Sequence, residues 1–183
     1  MGYNFQRQAH YEYTLASRSL IMLDGIFYSV VMFSAISTAM MSGIYFTFSN
    51  FVMKAFEDVG AEKSVPAMNA INRVILRSWF MPLFFGSTLA SAIIFLIVIM
   101  GWQQPSSTLL IIPSTIYFIG MFLCTIFFNV PLNNRLLAAE HASSIITNQT
   151  WSHYLKFWTR WNHLRTLSSL LASILYMYVL SAT

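Results

Sequence analysis

Charge is scarce in this chain of 183 residues: 9% are charged and only six are acidic. A soluble domain carries about 25% charged residues, so a water-soluble globular protein is excluded at the outset. The ten Lys and Arg give a net charge of +4, but they are too few and too dispersed among aromatics for a nucleic-acid surface. Cysteine is represented by Cys124 alone, which rules out an intrachain disulfide and paired-thiol redox chemistry. The seven Gly are scattered, with no phosphate-cradling loop among them. Carboxylates are missing from every apolar stretch, which argues against ion or proton transport. Histidine is equally unhelpful to a metal: Glu140 and His141 are adjacent, so on a helix they diverge. No two His lie on separate apolar stretches to ligate haem, and no Ser–His–Asp triad can be assembled. No metal or other cofactor is expected.

What the chain has is apolar length. Hydrophobic residues make up 57% of it, and mean hydropathy is +0.61. They gather at about 25–49, 83–101, 109–130 and 164–180, each near the ~20 residues needed to cross ~30 Å of hydrocarbon. The expected fold is all-α: an integral membrane four-helix bundle with interfacial amphipathic helices. Residues 1–23 read as an extramembrane tail and 24–183 as one four-span membrane domain. The polar start and the long first apolar run show no cleavable signal peptide. Asp24 reads as the N-cap of the first span.

Eight of the ten basic residues lie in the first and third connectors: Lys54, Lys63, Arg73, Arg77, Arg135, Lys156, Arg160 and Arg165. Only Arg7 and Arg18 lie on the other side. Short loops rich in Lys and Arg stay cytoplasmic, so the termini are expected outside and connectors one and three inside. In a bacterium this would be the inner membrane.

Connector one is itself helical in pattern. Ser64 is placed to cap, Pro66 falls in the first turn, and Met68, Ile71, Val74 and Ile75 form a stripe. Asn69, Arg73 and Arg77 share another face, with Asn72 beside them. Pro82 and Pro131 each predict a bend. In residues 151–165, Trp151, Tyr154, Trp158, Trp161, Asn162 and Arg165 collect on one side. His153, Lys156, Arg160 and His163 collect on the other, as on a helix lying in a membrane interface. A stripe of Asn162, Arg165, Ser169, Ser173 and Tyr176, and another of Thr38, Ser42, Tyr45 and Ser49, should face the bundle interior, because membrane helices pack through small and weakly polar residues.

Topology brings Asn50, Asn69, Asn72, Arg73, Arg77, Asn129, Asn133, Asn134, Asn162, His163 and Arg165 to one level. Amides and cations near the hydrocarbon boundary are costly unless paired or put to use. Two readings stand open: a polar pocket roofed by Trp79, Trp158 and Trp161, or an Asn–Arg network that closes the helix ends.

Five segments carry a family likeness: Gly43-Ile-Tyr-Phe-Thr-Phe-Ser-Asn-Phe-Val-Met53, Met68-Asn-Ala-Ile-Asn-Arg73, Trp79-Phe-Met-Pro82, Phe128-Asn-Val-Pro-Leu-Asn133 and Trp161-Asn-His-Leu-Arg-Thr166. In order and content they resemble the anthrone oxygenase-like family of small membrane proteins, from about Gly25 to the C-terminus. The resemblance implies oxidation of an anthrone- or quinol-like lipophilic aromatic by O2, without metal or flavin. Such a reaction needs a base, donors for the developing oxyanion and an aromatic slot. It casts His163 as base and Arg165 and Asn162 as oxyanion donors, with Asn50, Asn72, Arg73, Trp79, Asn129, Asn133 and Trp161 around the substrate. On a regular helix, however, His163 lies about 100° from Asn162, which leaves Tyr45 or ionisation of the substrate beside Arg165 as alternatives. Expected partners are the bilayer, the aromatic substrate and O2, with no nucleic acid and self-association open. A non-enzymatic carrier of quinones or lipids, or an accessory subunit, would use the same polar cluster without turnover.

Overall fold

The computed structural model describes residues 2–101 and 107–182, with the side chains of Ser17 and of residues from 22 onward. Most of the link expected at 102–108, and the side chains of most of the expected tail, lie outside the described residues. Every described element is helical. Four segments are long and apolar enough to cross a membrane: Met22–Val59, Phe80–Ile99, Ser107–Ala138 and Ser144–Ser181. The protein is an integral membrane four-helix bundle.

Helix α1 runs Gly2–Thr47, so Asp24 sits within it rather than at its N-cap. A π-helical stretch, Phe48–Val52, carries α1 into α2 (Met53–Val59). Gly60, at φ 81°, then breaks the chain in a conformation that costs a side-chain-bearing residue energy, and α3 (Ala61–Ile75) starts at once. Ser64 therefore lies inside α3 and not at its cap; its hydroxyl donates to the Phe56 carbonyl of α2. Pro66 falls inside the helix as well. A short turn leads to α4 (Phe80–Ile99), whose first turn contains Pro82, where the missing N–H has no intrahelical partner to lose.

The third span begins with a tight turn at Ser107–Leu110 and α5 (Ile111–Tyr117). It then passes through π-helical stretches at Phe118–Leu123 and Thr125–Asn129 into α6 (Val130–Ala138). Pro131, expected to bend the chain, stands at the start of α6, directly after the second of these stretches. The last span, α7 (Ser144–Ser181), is a single helix of 38 residues, about 57 Å long. It overshoots a ~30 Å hydrocarbon core. The amphipathic stretch 151–165 is thus the first half of the helix that also forms the fourth span.

The spans form an up-down-up-down ring in which α7 closes against α1 and α5. The Ser42 hydroxyl donates to the Thr166 carbonyl (3.1 Å) and the Ser173 hydroxyl to the Ala35 carbonyl (2.9 Å), pairing α1 and α7 antiparallel. Both sequence stripes face inward: Thr38, Ser42, Tyr45, Asn162, Arg165, Ser169, Ser173 and Tyr176 are buried, and Ser49 is half-buried. A Cβ built on Gly120 would collide with Oγ and Cβ of Ser168, so only glycine lets the third span approach α7 this closely.

Two cores result. One lies within the membrane around Val31, Ala35, Met41, Tyr45, Phe84, Tyr117, Met121 and Tyr176. The other lies at the connector end, where Met53, Val65, Met68, Leu132 and Leu136 pack on Trp151, Tyr154 and Trp158 of α7. These three aromatics stack in a column, with ring centres 5.8 and 5.7 Å apart. The aromatic side of residues 151–165 is therefore covered by α2, α3 and α6, and its basic side is exposed.

Candidate functional site

A cavity of about 180 Å³ opens where the two cores meet, over ten times the ~10–15 Å³ that one water occupies. Tyr45 and Phe84 come to it from the membrane core, and Met68 and Trp158 from the connector core. Most of the wall is apolar. Its polar groups are Tyr45, Asn72, Thr125, Asn129, Asn133, Trp158 and Arg165. Two of the π-helical stretches frame it, supplying Phe48 on one side and Thr125, Ile126 and Asn129 on the other. Such stretches re-aim side chains locally and concentrate at functional sites.

Arg165 is the centre of the polar wall. It is 5% exposed, and its Nη2 donates to Asn162 Oδ1 at 2.6 Å, one helical turn back. Asn162, fully buried, uses its own Nδ2 to donate to the Tyr45 carbonyl (2.6 Å) and to Ser49 Oγ. Arg165 Nη1 lies 3.5 Å from Thr125 Oγ1. The guanidinium carbon stands 4.3 Å from the Tyr45 ring centre and 5.1 Å from that of Trp158. Two aromatic faces and an amide oxygen thus stabilise the buried cation. Among the described residues no carboxylate pairs with it; the ion pair found there is Arg73–Glu140, at 3.6 Å.

The remaining predicted residues divide sharply. Asn72, Asn129 and Asn133 line the cavity. Asn129 Nδ2 donates to the Trp158 carbonyl (3.3 Å), and Asn133 Oδ1 accepts from the Tyr154 hydroxyl (2.8 Å). Arg73 points out of α3 toward Glu140, whose Oε2 also accepts from Asn69 Nδ2 at 3.0 Å. Trp161 is half-buried and stacks on Phe128, with ring centres 3.9 Å apart, outside the cavity wall. Trp79 is 88% exposed, so Trp158 is the one of the three tryptophans that lines the cavity. Asn50 and His163 are exposed and take no part in the lining.

Thr125 and Glu140 were not singled out for the site by sequence. Thr125 has no signal beyond its place in an apolar span. Glu140 did carry one: it is the sole carboxylate after Glu62, set in a chain whose amides and Arg sit at its level.

Comparison with known families matches residues 76–175 to anthrone oxygenase. The chain belongs to the anthrone oxygenase family. The matched stretch contains α4 to most of α7, and with them Thr125, Asn129, Asn133, Trp158, Asn162 and Arg165. Tyr45, Asn69 and Asn72 lie ahead of it. No curated protein and no solved structure matches the chain.

Proposed function

We propose that the anthrone oxygenase fold here works as a membrane-embedded, cofactor-independent oxygenase, with the junction cavity as its active site and an anthrone- or quinol-like aromatic as substrate. The observation that carries this reading is Arg165, a buried guanidinium on the cavity wall with no carboxylate paired to it among the described residues. A buried charge without a counter-ion is costly, and a ligand that develops negative charge beside it recovers that cost.

In an anthrone, loss of one methylene proton to water leaves a carbanion delocalised onto the ketone oxygen. Arg165, oriented by Asn162, would stabilise that oxygen. O2 then adds at the ring carbon, takes up a proton as a hydroperoxide and loses water, leaving the second quinone carbonyl. One O2 is consumed and one water released per substrate. Tyr45, Phe48, Phe80 and Phe84 supply the aromatic slot.

Leu76, Phe85, Ile126 and Val130 line the cavity and are exposed, which supports arrival of the substrate from the bilayer between α4 and the third span. With connectors one and three cytoplasmic, that opening would lie in the inner half of the bilayer.

A second reading rests on the same wall: it has neither His nor carboxylate, which suits a non-enzymatic carrier of quinones. Oxygen uptake by the purified protein with anthrone, with and without chelator, separates the two. Chelator-insensitive uptake with quinone formed is the expected result; bound quinone with no uptake would establish the carrier.

A further inference from the structure

The cavity wall has a polarity of its own, independent of turnover. Three buried side-chain atoms on its lining residues have no hydrogen-bond partner within the protein: Arg165 Nε, Trp158 Nε1 and Asn72 Nδ2. All three are donors, and Arg and Trp can only donate. No unpaired buried acceptor belongs to a lining residue. Asn162 and Thr125 each accept from one Nη atom of Arg165. The ionisable groups acting on the guanidinium are Tyr45 from α1, Cys124 from the third span and Tyr154 from α7. Each is neutral at pH 7 in its ordinary state, and none is a carboxylate. A buried donor without a partner is costly, so one on the cation itself and two more on the same wall form a strong preference for a ligand that brings acceptors and negative charge.

We infer that this cavity binds acidic fused-ring aromatics, enolisable aryl ketones and hydroxyquinones alike, as their conjugate bases. The inference shares its cavity with the oxygenase reading but needs no oxidation. It also answers the lack of a base on the wall: the ligand loses its proton to water as it binds, because the bound anion is favoured by Arg165, Trp158 and Asn72. The same preference holds for a hydroxylated quinone product, which would compete with substrate more strongly as pH rises toward its own ionisation.

The test uses 2-hydroxyanthraquinone, which is already a quinone and changes colour when its phenol ionises. Its absorbance is titrated with pH under argon in detergent micelles, with and without saturating wild-type protein. The expected midpoint for bound ligand is about one to three pH units below that in micelles alone, the size of effect an opposite charge at contact produces. Arg165→Met should return the midpoint to the micelle value, and Arg165→Lys should retain a lowered one. Trp158→Phe, which removes one donor and keeps an aromatic ring in the column, should recover part of the difference without unfolding the bundle. A wild-type midpoint equal to or above the micelle value overturns the inference, as does a lowered midpoint that Arg165→Met leaves in place. A lowered midpoint in a protein that consumes no O2 would sink the oxygenase reading and leave this one standing. Oxygen uptake with an unmoved midpoint would do the reverse.

Discussion

The membrane core and the cavity where it meets the connector core bury polar groups in opposite ways. In the membrane core the large hydroxyls are matched: Ser87 pairs with Tyr117 at 2.7 Å and Ser114 with Tyr176 at 2.9 Å. Small residues let backbones approach, and serine hydroxyls reach carbonyls of the facing helix. What is left unpaired there is neutral: the hydroxyls of Ser34, Ser91 and Ser169. At the junction with the connector core the buried group is a full cation, its contacts are aromatic faces, one amide and the Thr125 hydroxyl, and the unpaired atoms are donors on a cavity wall. The first arrangement holds helices together. The second leaves a cation and its donors on the wall of a cavity, where the proposed ligand would meet them.

Substitutions can break that contrast at either end. Asn162 should give the largest effect, because it joins both functions, tying α7 to α1 through Tyr45 and Ser49 while orienting Arg165. Asn162→Leu is expected to lower turnover of anthrone about 10²–10³-fold. It should also cost about 1–3 kcal/mol of stability, read as a fall in melting temperature in detergent. Gly120→Ala comes next. Its Cβ would collide with Ser168, so the spans must part, at about 1–3 kcal/mol of stability. The protein that remains folded should keep its turnover, since neither residue lines the cavity. Ser173→Ala is the mildest, removing one interhelical hydrogen bond worth about 0.6 kcal/mol and leaving oxygen uptake unchanged. Loss of turnover in either of the last two, at unchanged melting temperature, would erase the distinction between the cores.

Much of this was legible in the sequence. Apolar length gave four spans. The recurrence of small polar residues three and four apart placed the faces of α1 and α7, and with them Asn162, Arg165 and Tyr45, in the interior. Proline was a partial guide: at Pro82 and Pro131 it marks element starts, whereas Pro66 sits inside α3 because the positive φ of Gly60 starts that helix earlier. Helical periodicity also separated His163 from Arg165, and the structure leaves His163 exposed while Arg165 is buried. The second core was not legible. An aromatic face of Trp151, Tyr154 and Trp158 is consistent with a lipid interface or with a protein partner. Only the connectors folding back over α7 decide between them. Nor does any residue type announce the π-helical stretches at 118–123 and 125–129, whose register brings Thr125 and Asn129 to the cavity.

The most direct test is oxygen uptake with anthrone by two single variants of α7 that stand two residues apart, Arg165→Ala and His163→Ala, each checked for an unchanged far-UV spectrum and size-exclusion profile. A catalytic cavity centred on Arg165 predicts a loss of about 10²–10³-fold in the first. The second, altering an exposed side chain, should stay within about twofold of wild type. Retained turnover in Arg165→Ala, or its loss in His163→Ala, would contradict the account.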